Sequence, residues 1–312
     1  MSKITISDEY RETSTHGEVR VNRHGPDKLA TKVFVSNDDG FCVTSVIIMG
    51  KEKCAVFDTQ WTVANAYRFL AEIVEENLEL ETIYLSHAHP DHYFGAAILK
   101  EAFPNARVIA VPEEAKIIEA QWSQKWDEVV PEIGEINYVK REIPFHVEPL
   151  EGEDKFFMLE GEKIQVIDRL MGDYRYNTAI YVPSINTLMC SDILFNEAHP
   201  FTCEVTQEER KEWLEVLDRL EAMDADVIIP GHMKFGMPFD KTSIEWTRQY
   251  ILATEEELAK CTSCGEFYFN MDRRFNKAVL TKSNEMNSMV FFQQREWEWR
   301  MNDVWDESEE KK

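Results

Sequence analysis

The sequence predicts an α/β protein in which two β-sheets pack face to face and helices cover the outer faces. Strand-like apolar runs occur in two separate blocks of the chain, and each block is followed by segments with helical apolar spacing. A sheet and an amphipathic helix each bury one apolar face, so two such halves pack most simply sheet on sheet. With 312 residues, 44% of them hydrophobic, the chain can bury a large core.

The first block begins with three apolar runs rich in Val, Ile and Phe, at 32–36, 42–49 and 54–58. Turns of Asn-Asp-Asp-Gly and Gly-Lys-Glu-Lys separate them, which predicts antiparallel neighbouring strands. A helix follows, with an apolar face formed by Val63, Ala66, Tyr67, Leu70, Ile73 and Val74. We then expect a strand at 82–86, a helix from about His92 to Phe103, a strand at 107–111 and a mostly helical stretch to about Trp126.

Strand patterns return between residues 143 and 195, in the segments KIQVIDR, TAIYV and TLMCSDILF. Thr206, with Glu209 three residues later, is typical of a capping box that opens a helix. The segment 226–232, DVIIPGH, is predicted to be a last core strand that ends in a turn.

Three regions follow from these patterns: an N-terminal arm or irregular strand (1–30), the sheet-and-helix core (31–238) and a C-terminal helical extension packed on the core (239–312). The extension is rich in aromatic residues, namely Trp246, Tyr250, Phe291, Phe292, Trp297, Trp299 and Trp305. Beyond simple packing on the core, these residues could form a contact between two copies of the chain or a wall of a substrate pocket.

Composition and charge exclude several classes of protein. The 34 basic and 58 acidic residues give a net charge of −24, which disfavours nucleic-acid and anionic-membrane partners. No run of 18 apolar residues exists, and the first residues have no apolar signal core, so we expect a cytoplasmic protein. The six cysteines are then expected to be reduced thiols, and the single Cys261-Thr-Ser-Cys264 motif is too little for a zinc ribbon.

The segment Ser86-His87-Ala88-His89-Pro90-Asp91-His92 places four potential metal ligands within six residues, directly after an apolar strand. Residues two apart in an extended chain point the same way, so His87 and His89 can share a target. Asp91 and His92 can turn toward the same point where a helix begins. One such histidine would be read as a turn residue, but the full set predicts a metal site.

Two later strand ends offer partners for this cluster. Asp192 lies inside an apolar run, where a carboxylate is costly to bury unless it is paired or binds a metal. His232 follows the apolar run VIIPG, again just past a strand. We expect both side chains to join the histidine cluster.

These motifs resemble the metallo-β-lactamase superfamily: HAHPDH at 87–92, Ser-Asp after a later strand, Pro-Gly-His near the last strand, and VFDT at 56–59. The resemblance covers about residues 30–235. It implies an αββα sandwich of two mixed sheets with a two-metal site at their edge. It also implies that His87 and His89 hold the first metal, that Asp91, His92 and His232 hold the second, and that Asp192 bridges them.

One position departs from the family pattern. The family usually supplies a third histidine to the first metal from a Gly-His turn, and the matching turn here is Met171-Gly172-Asp173-Tyr174-Arg175. We expect Asp173 itself to be the ligand. The alternatives are that His146 or His199 takes that place, or that the first metal is bound weakly.

The resemblance implies a hydrolase that uses a metal-bound hydroxide on an ester, lactone or thioester of a small molecule. Two divalent ions are expected, with zinc first and iron or manganese as alternatives. Asp91 is a candidate proton acceptor. Tyr174 and Tyr176 are candidate donors to an oxyanion or leaving group, and Arg175 could meet a substrate carboxylate or pair with a glutamate.

Other functions stay open from the sequence. A two-histidine, one-carboxylate iron site could support a dioxygenase-like oxidoreductase, and β-lactam or phosphodiester hydrolysis also occurs on this scaffold. A sensor or scaffold with a residual metal site is a third class, suggested only by the missing histidine. The chain lacks the GxSxG, GxxxxGK[ST] and GxGxxG motifs, which removes several other enzyme classes.

Overall fold

The computed structural model describes residues 9–134 and 139–296. Two mixed β-sheets pack against each other, and helices cover both outer faces, which confirms the predicted αββα sandwich. Trp297, Trp299 and Trp305 lie outside the described residues. Within the described ranges, no helix is both long enough and apolar enough to cross a membrane.

Eight strands form the first sheet in chain order. They are β1 (Glu9–Thr13), β2 (Gly17–Arg23), β3 (Ala30–Ser36), β4 (Thr44–Met49), β5 (Lys53–Phe57), β6 (Glu79–Tyr84), β7 (Arg107–Ala110) and β8 (Glu148–Pro149). Pairing is antiparallel from β1 to β5 and parallel from β5 to β8. The predicted antiparallel order of the three strands between 32 and 58 is therefore confirmed.

The second sheet has the order β14-β12-β11-β10-β9. Its strands are β9 (Phe156–Leu159), β10 (Glu162–Leu170), β11 (Asn177–Val182), β12 (Thr187–Met189) and β14 (Val227–Ile229). Two short strands, β13 (Phe195–Asn196) and β15 (His232–Met233), pair in parallel beside it. Residue 232 also bridges residue 43, so β15 links the second half of the chain to the loop before β4.

Helices lie outside both sheets. They are α1 (Val63–Glu75), α2 (Pro90–Tyr93), α3 (Ala96–Ala102), α4 (Pro112–Ile133), α5 (Gln207–Glu221), α6 (Thr242–Leu258), α7 (Cys264–Arg274) and α8 (Thr281–Phe291). The apolar faces of α1, α3 and α4 cover the first sheet, and those of α5 and α6 cover the second. The expected C-terminal helices are present as α6, α7 and α8 and share a small apolar core of their own. The capping box of Thr206 and Glu209 opens α5 as predicted.

The N-terminal segment, predicted as an arm or an irregular strand, forms two regular strands within residues 9–23. Strands β1 and β2 form a hairpin that extends the first sheet, with β2 paired along β3 from Gly17 to Arg23. The apolar pattern missed β2 because Glu18 and Arg20 are buried there as an ion pair, with Nε 2.6 Å from Oε1. Arg20 also donates to the carbonyl of Met237, so these charges are satisfied inside the protein.

Two predicted elements are interrupted, and both breaks lie beside the candidate site. The helix expected from His92 to Phe103 is divided at Gly95, where a side chain would collide with the backbone of Gln60. The expected strand 187–195 stops after Met189 because the chain turns at Ser191, which adopts a left-handed φ of 45°. This turn directs Asp192 toward the histidine cluster.

Candidate metal centre

The HAHPDH segment lies where β6 gives way to α2. His89 is still extended, with φ −90° and ψ 134°, and Pro90 occupies the first turn of α2. Asp91 and His92 lie in that first turn. All four candidate ligand side chains are buried at the carboxyl end of the strand. The local sequence therefore brings them to one edge of the sheet, as the spacing predicted.

Asp91, His92 and His232 form one group of potential ligands. Oδ2 of Asp91 lies 3.5 Å from Nε2 of both His92 and His232. Asp192 adjoins the group, with Oδ1 3.1 Å from Nε2 of His92 and Oδ2 3.0 Å from Nε2 of His232. The carboxylate of Asp192 thus lies within hydrogen-bonding distance of two histidines that come from distant segments of the chain.

His87, His89, Asp173 and Asp192 form a second group, whose candidate ligand atoms all lie within 4.8 Å of one another. Nδ1 of His89 is 2.9 Å from Oδ2 of Asp173, and Nε2 of His87 is 3.8 Å from Oδ2 of Asp192. Asp192 therefore stands between the two groups. Its place matches the bridging position that the resemblance implies.

The groups fit divalent cations by their own chemistry. Within the described part of the chain, Nε2 of His87 is buried without a hydrogen-bond partner, and Oδ1 of Asp192 has none of adequate alignment despite its short contact with His92. Buried polar atoms in proteins are nearly always satisfied, so atoms that converge without bonding one another are typical of a ligand set. Imidazole and carboxylate suit zinc, iron and manganese.

Asp58 orients His92 directly and His87 through the hydroxyl of Ser86. It accepts from Nδ1 of His92 at 2.9 Å and from the hydroxyls of Ser86 and Ser191 at 2.8 and 2.7 Å. Nδ1 of His87 lies 2.8 Å from the same Ser86 hydroxyl. These bonds hold the Nδ1 side of both rings, so Nε2 of each faces the cluster.

The other two imidazoles are held in the same manner. His232 donates from Nδ1 to the carbonyl of Phe41 at 2.6 Å and stacks on Phe195. His89 is held at Nε2 by Glu204, whose Oε2 lies 3.1 Å away. His89 therefore presents Nδ1 to the cluster, and the other three rings present Nε2.

The protonation preferences of the cluster follow its charges. Burial acts to raise the pKa of Asp192, but the charges of His232 and His92, together with the hydrogen bond from His232, outweigh it and hold that pKa well below its usual range. Burial raises the pKa of Asp173 to about 6. Burial acts to lower the pKa of His89, yet Asp173 and Glu204 raise it to about 10. The buried carboxylates thus favour a positive charge within the cluster, and a divalent ion would supply it.

Helix α4 clamps the peptide between the first two histidines. Lys125 donates from Nζ to the carbonyl of Ala88, and the amide of Ala88 donates to the hydroxyl of Tyr174 at 2.9 Å. The hydroxyl of Tyr174 in turn donates to Glu114, and the ring of Tyr174 stacks on His89 with centroids 4.9 Å apart. Ala88 is therefore fixed on both its N–H and its C=O.

Burial shifts the two charged groups of this clamp. It raises the pKa of Glu114 to about 8 and lowers the pKa of Lys125 to about 8. Both side chains are almost fully buried beside the histidine segment. Buried titratable groups whose pKa values are shifted this far are typical of a functional site.

The structure brings together all seven residues predicted as metal ligands: His87, His89, Asp91, His92, Asp173, Asp192 and His232. Asp173 lies in the group with His87 and His89, 2.9 Å from Nδ1 of His89, and its role as a metal ligand stays a prediction. His146 is exposed and paired with Glu119, while His199 is buried against the hydroxyl of Tyr250. Neither belongs to a ligand group among the described residues.

The other predicted residues have different surroundings. Tyr174 was predicted as a proton donor to substrate, but its proton goes to Glu114 and the side chain is only 2% exposed. Tyr176 is half-buried against the core under α1, α3 and α4, with a left-handed φ of 64°. Arg175 pairs with Glu209, which was one of its two expected partners.

Several functional residues escaped the sequence analysis. Glu204 and Glu114 lie in segments without a diagnostic period, and only their placement beside His89 and Tyr174 reveals them. The sequence does point to Gly231, because it precedes His232 in the motif Pro-Gly-His. A side chain at 231 would collide with Oδ1 of Asp192, so glycine is required for that carboxylate to sit in the cluster.

Comparison with known proteins places this geometry in context. A sequence model of the metallo-beta-lactamase superfamily matches residues 37–232, more than half of the chain. Glyoxylase B2 of Dictyostelium discoideum is 36% identical over 77 residues, which are 22% of this chain and 26% of that protein. The chain thus spans about a quarter of the length of this curated relative.

Solved structures share the fold at low identity. A metallo-beta-lactamase family protein from Thermus thermophilus superposes with a TM-score of 0.57 at 18% identity over 93% of this chain and 95% of that one. A metallo-beta-lactamase from Pontibacter korlensis gives 0.51 at 15% identity, over 78% and 99%. DIM-1 metallo-beta-lactamase gives 0.52 at 15%, over 75% and 97%.

Proposed function

Because the chain belongs to the metallo-beta-lactamase superfamily, we propose that it is a metal-dependent hydrolase that cleaves an ester, lactone or thioester bond of a small molecule. The observation that carries the proposal is the meeting of two ligand groups at Asp192, which stands within 3.1 Å of both His92 and His232 and 3.8 Å from His87. Such a paired arrangement is what a two-metal hydrolase requires.

The proposed ligands divide into two sets. His87, His89 and Asp173 would hold one ion, Asp91, His92 and His232 the other, and Asp192 both. Divalent ions at this place would lower the pKa of a coordinated water and polarise a carbonyl oxygen. Zinc is the ion we propose first, since four of the seven ligands are imidazoles, and iron or manganese are the alternatives.

Asp91 is the residue proposed to accept a proton from the attacking water. Its side chain is 10% exposed, compared with 7% for His89 and 0% for His92 and His232. Asp91 and His89 therefore stand at the opening of the cluster. An aspartate at this opening can take a proton from water and pass it to the leaving group.

The net charge and the similar proteins bear on the substrate class. The net charge of −24 disfavours nucleic acid and other polyanions. A match to a protein named a glyoxylase, beside structures named β-lactamases, supports a substrate class broader than β-lactams. A cytoplasmic location is also part of the proposal, supported by six cysteines that are all free thiols.

An iron-dependent oxidoreductase is the second candidate, and Asp173 is the observation that favours it. His87, His89 and Asp173 form a two-histidine, one-carboxylate set, which is the ligand type of non-haem iron oxygenases. Metal analysis together with an oxygen-consumption assay separates the two functions, because only the oxidoreductase would consume oxygen with bound iron.

The test is a metal analysis of the purified protein followed by a substrate panel of lactones, thioesters, phosphodiesters and β-lactams. We expect bound divalent metal and turnover of an ester-type substrate. His89→Ala should abolish that turnover with little change in the midpoint of thermal unfolding, because a strand-end ligand contributes little to the core. His146→Ala, an exposed histidine outside the cluster, is the matched control. Retained turnover in His89→Ala would contradict the proposal.

A further inference from the structure

A cavity of about 810 Å³ lies beside the metal centre. Residues of the β3–β4 loop, the start of α1 and the start of α8 line it, among them Phe41, Trp61, Arg68 and Lys282. Phe41 connects the cavity to the back of the cluster, since its carbonyl accepts from Nδ1 of His232 at 2.6 Å, the ring nitrogen that faces away from the other proposed ligands. The volume is of the size that holds a small-molecule ligand.

The cavity has an aromatic wall with an unused donor. The rings of Phe41 and Trp61 are in contact, with centroids 3.8 Å apart. Nε1 of Trp61 is buried, and no hydrogen-bond partner for it exists among the residues that the structure describes. An apolar group can pack against this wall.

Arg68 supplies a positive charge that no carboxylate of the described residues neutralises. Its side chain is half-buried on α1, and its Nη1 donates to Oδ1 of Asn65. Within residues 9–134 and 139–296, no carboxylate lies within ion-pairing distance of its guanidinium. In a chain with a net charge of −24, a half-buried arginine without a carboxylate partner is conspicuous.

The other charges of the cavity leave Arg68 available. Lys282 adds a second cation, and among the residues that the structure describes its ion pair is with Glu285 on its own helix, an exposed contact at 3.2 Å. Asp38 keeps its negative charge and accepts at Oδ1 from the amide of Leu280 at 3.1 Å, and it forms no ion pair with Arg68 among the described residues. Asp39 accepts from the side chain of Asn37.

We propose that this cavity binds the carboxylate of a substrate whose apolar body packs on Phe41 and Trp61, with Arg68 as the principal anion-binding residue and Lys282 as the second. The proposal rests on the proposed function for the identity of the ligand as substrate. The guanidinium offers paired N–H donors that match the two oxygens of a carboxylate. The expected substrate class is thus an acyl compound that carries a carboxylate away from the scissile bond.

The experiment measures binding, so it does not depend on turnover. The dissociation constants of 3-phenylpropanoate and of its uncharged amide, 3-phenylpropanamide, are measured with the metal-loaded protein by ligand-observed NMR titration. The wild type should bind the carboxylate at least about tenfold more tightly than the amide, as a charge-assisted contact predicts. Arg68→Gln should lose this preference, and Arg68→Lys should keep part of it.

Arg273→Gln is the matched control. Arg273 donates to Asn270 three residues earlier on α7, as Arg68 does to Asn65 on α1, but it is exposed and does not line the cavity. This variant should keep the full preference. Lys282→Gln changes an exposed residue, should lower the preference by a smaller factor, and is the second variant if Arg68→Gln does not fold.

An absent preference in the wild type, or one that persists in every folded Arg68 and Lys282 variant, would overturn the proposal. Persistence would mean that the carboxylate binds at the metal centre. A protein that hydrolyses nothing in the substrate panel but shows the Arg68-dependent preference would refute the proposed function and leave the anion site standing. The two proposals therefore fail separately.

Discussion

Glu204 holds the side of His89 that faces away from the metal centre, with Oε2 3.1 Å from Nε2. The other nitrogen of the ring, Nδ1, lies 2.9 Å from Asp173. A carboxylate behind a metal-binding histidine fixes its orientation and raises its basicity. The loop that carries Glu204 thus takes part in the site although it supplies none of the seven proposed ligands.

Replacing Glu204 should weaken metal binding. Glu204→Ala frees the ring of His89 to rotate, and we expect roughly 10–100-fold weaker binding of one metal ion. Glu204→Gln should have a smaller effect because its amide oxygen can still accept from Nε2. Competition with a chelating dye measures both affinities. Glu208→Ala, an exposed glutamate on α5, is the control, and an unchanged affinity in Glu204→Ala would show that the contact does not support the metal.

Asp173→Ala tests the unusual ligand. We expect the metal content to fall from two ions to one per chain, because His87 and His89 would lose their carboxylate partner. Elemental analysis after dialysis against buffer without metal measures the ratio. Asp168→Ala, on β10 and paired with Lys155, should keep both ions. Two tightly held ions in Asp173→Ala would mean that Asp173 is not a ligand.

Tyr174→Phe separates a positioning role from a chemical one. The variant leaves Glu114 and the amide of Ala88 without their buried partner, so we expect a loss of about 1–3 kcal/mol in the free energy of unfolding. Turnover should fall by the same factor for esters with good and with poor leaving groups.

The control for this variant is Tyr181→Phe, which removes a hydroxyl bonded to Asn186 far from the clamp. It should leave turnover unchanged. A loss in Tyr174→Phe that grows as the leaving group becomes poorer would instead make Tyr174 a proton donor to substrate.

His199 should make the protein sensitive to mild acid. Burial lowers its pKa to about 4, compared with 6.5 for an ordinary histidine. Between these values the unfolded chain binds a proton that the folded protein does not, so the free energy of unfolding falls as the pH is lowered through this window. The loss from this group is about 2 kcal/mol between pH 7.5 and pH 5.

Urea unfolding at the two pH values, for the wild type and for His199→Gln, isolates this contribution. Other titrating groups are shared by the two proteins, so their effects cancel in the comparison. The wild type should lose about 2 kcal/mol more than the variant on acidification. Equal losses in the two proteins would show that His199 does not titrate in this way.

The meeting of these side chains in one cluster could be predicted because most of them carry a local signal. The HAHPDH segment concentrates three histidines and one aspartate after a strand, and Asp192 interrupts an apolar run where a carboxylate needs a reason to be buried. His232 follows Pro-Gly at the end of a core strand. Such a signal can be read from a single sequence, because the strand and the polar residue at its end lie within a few positions of each other.

Residues whose role depends on long-range packing could not be predicted. Lys125 and Glu114 reach the site only because α4 packs across the histidine segment, and a sequence pattern does not show which helix crosses which loop. The β2 strand was missed for a related reason, because Glu18 and Arg20 are buried as a pair and hide the alternation that marks a strand.

The central claim is that two metal ions bind between these segments, and anomalous diffraction at the zinc absorption edge tests it most directly. Crystals grown with zinc should show two peaks about 3.5–4 Å apart, with Asp192 between them. One peak should lie beside His87, His89 and Asp173, and the other beside Asp91, His92 and His232. A map without a peak in this cluster, or with zinc bound only elsewhere on the protein, would contradict the account.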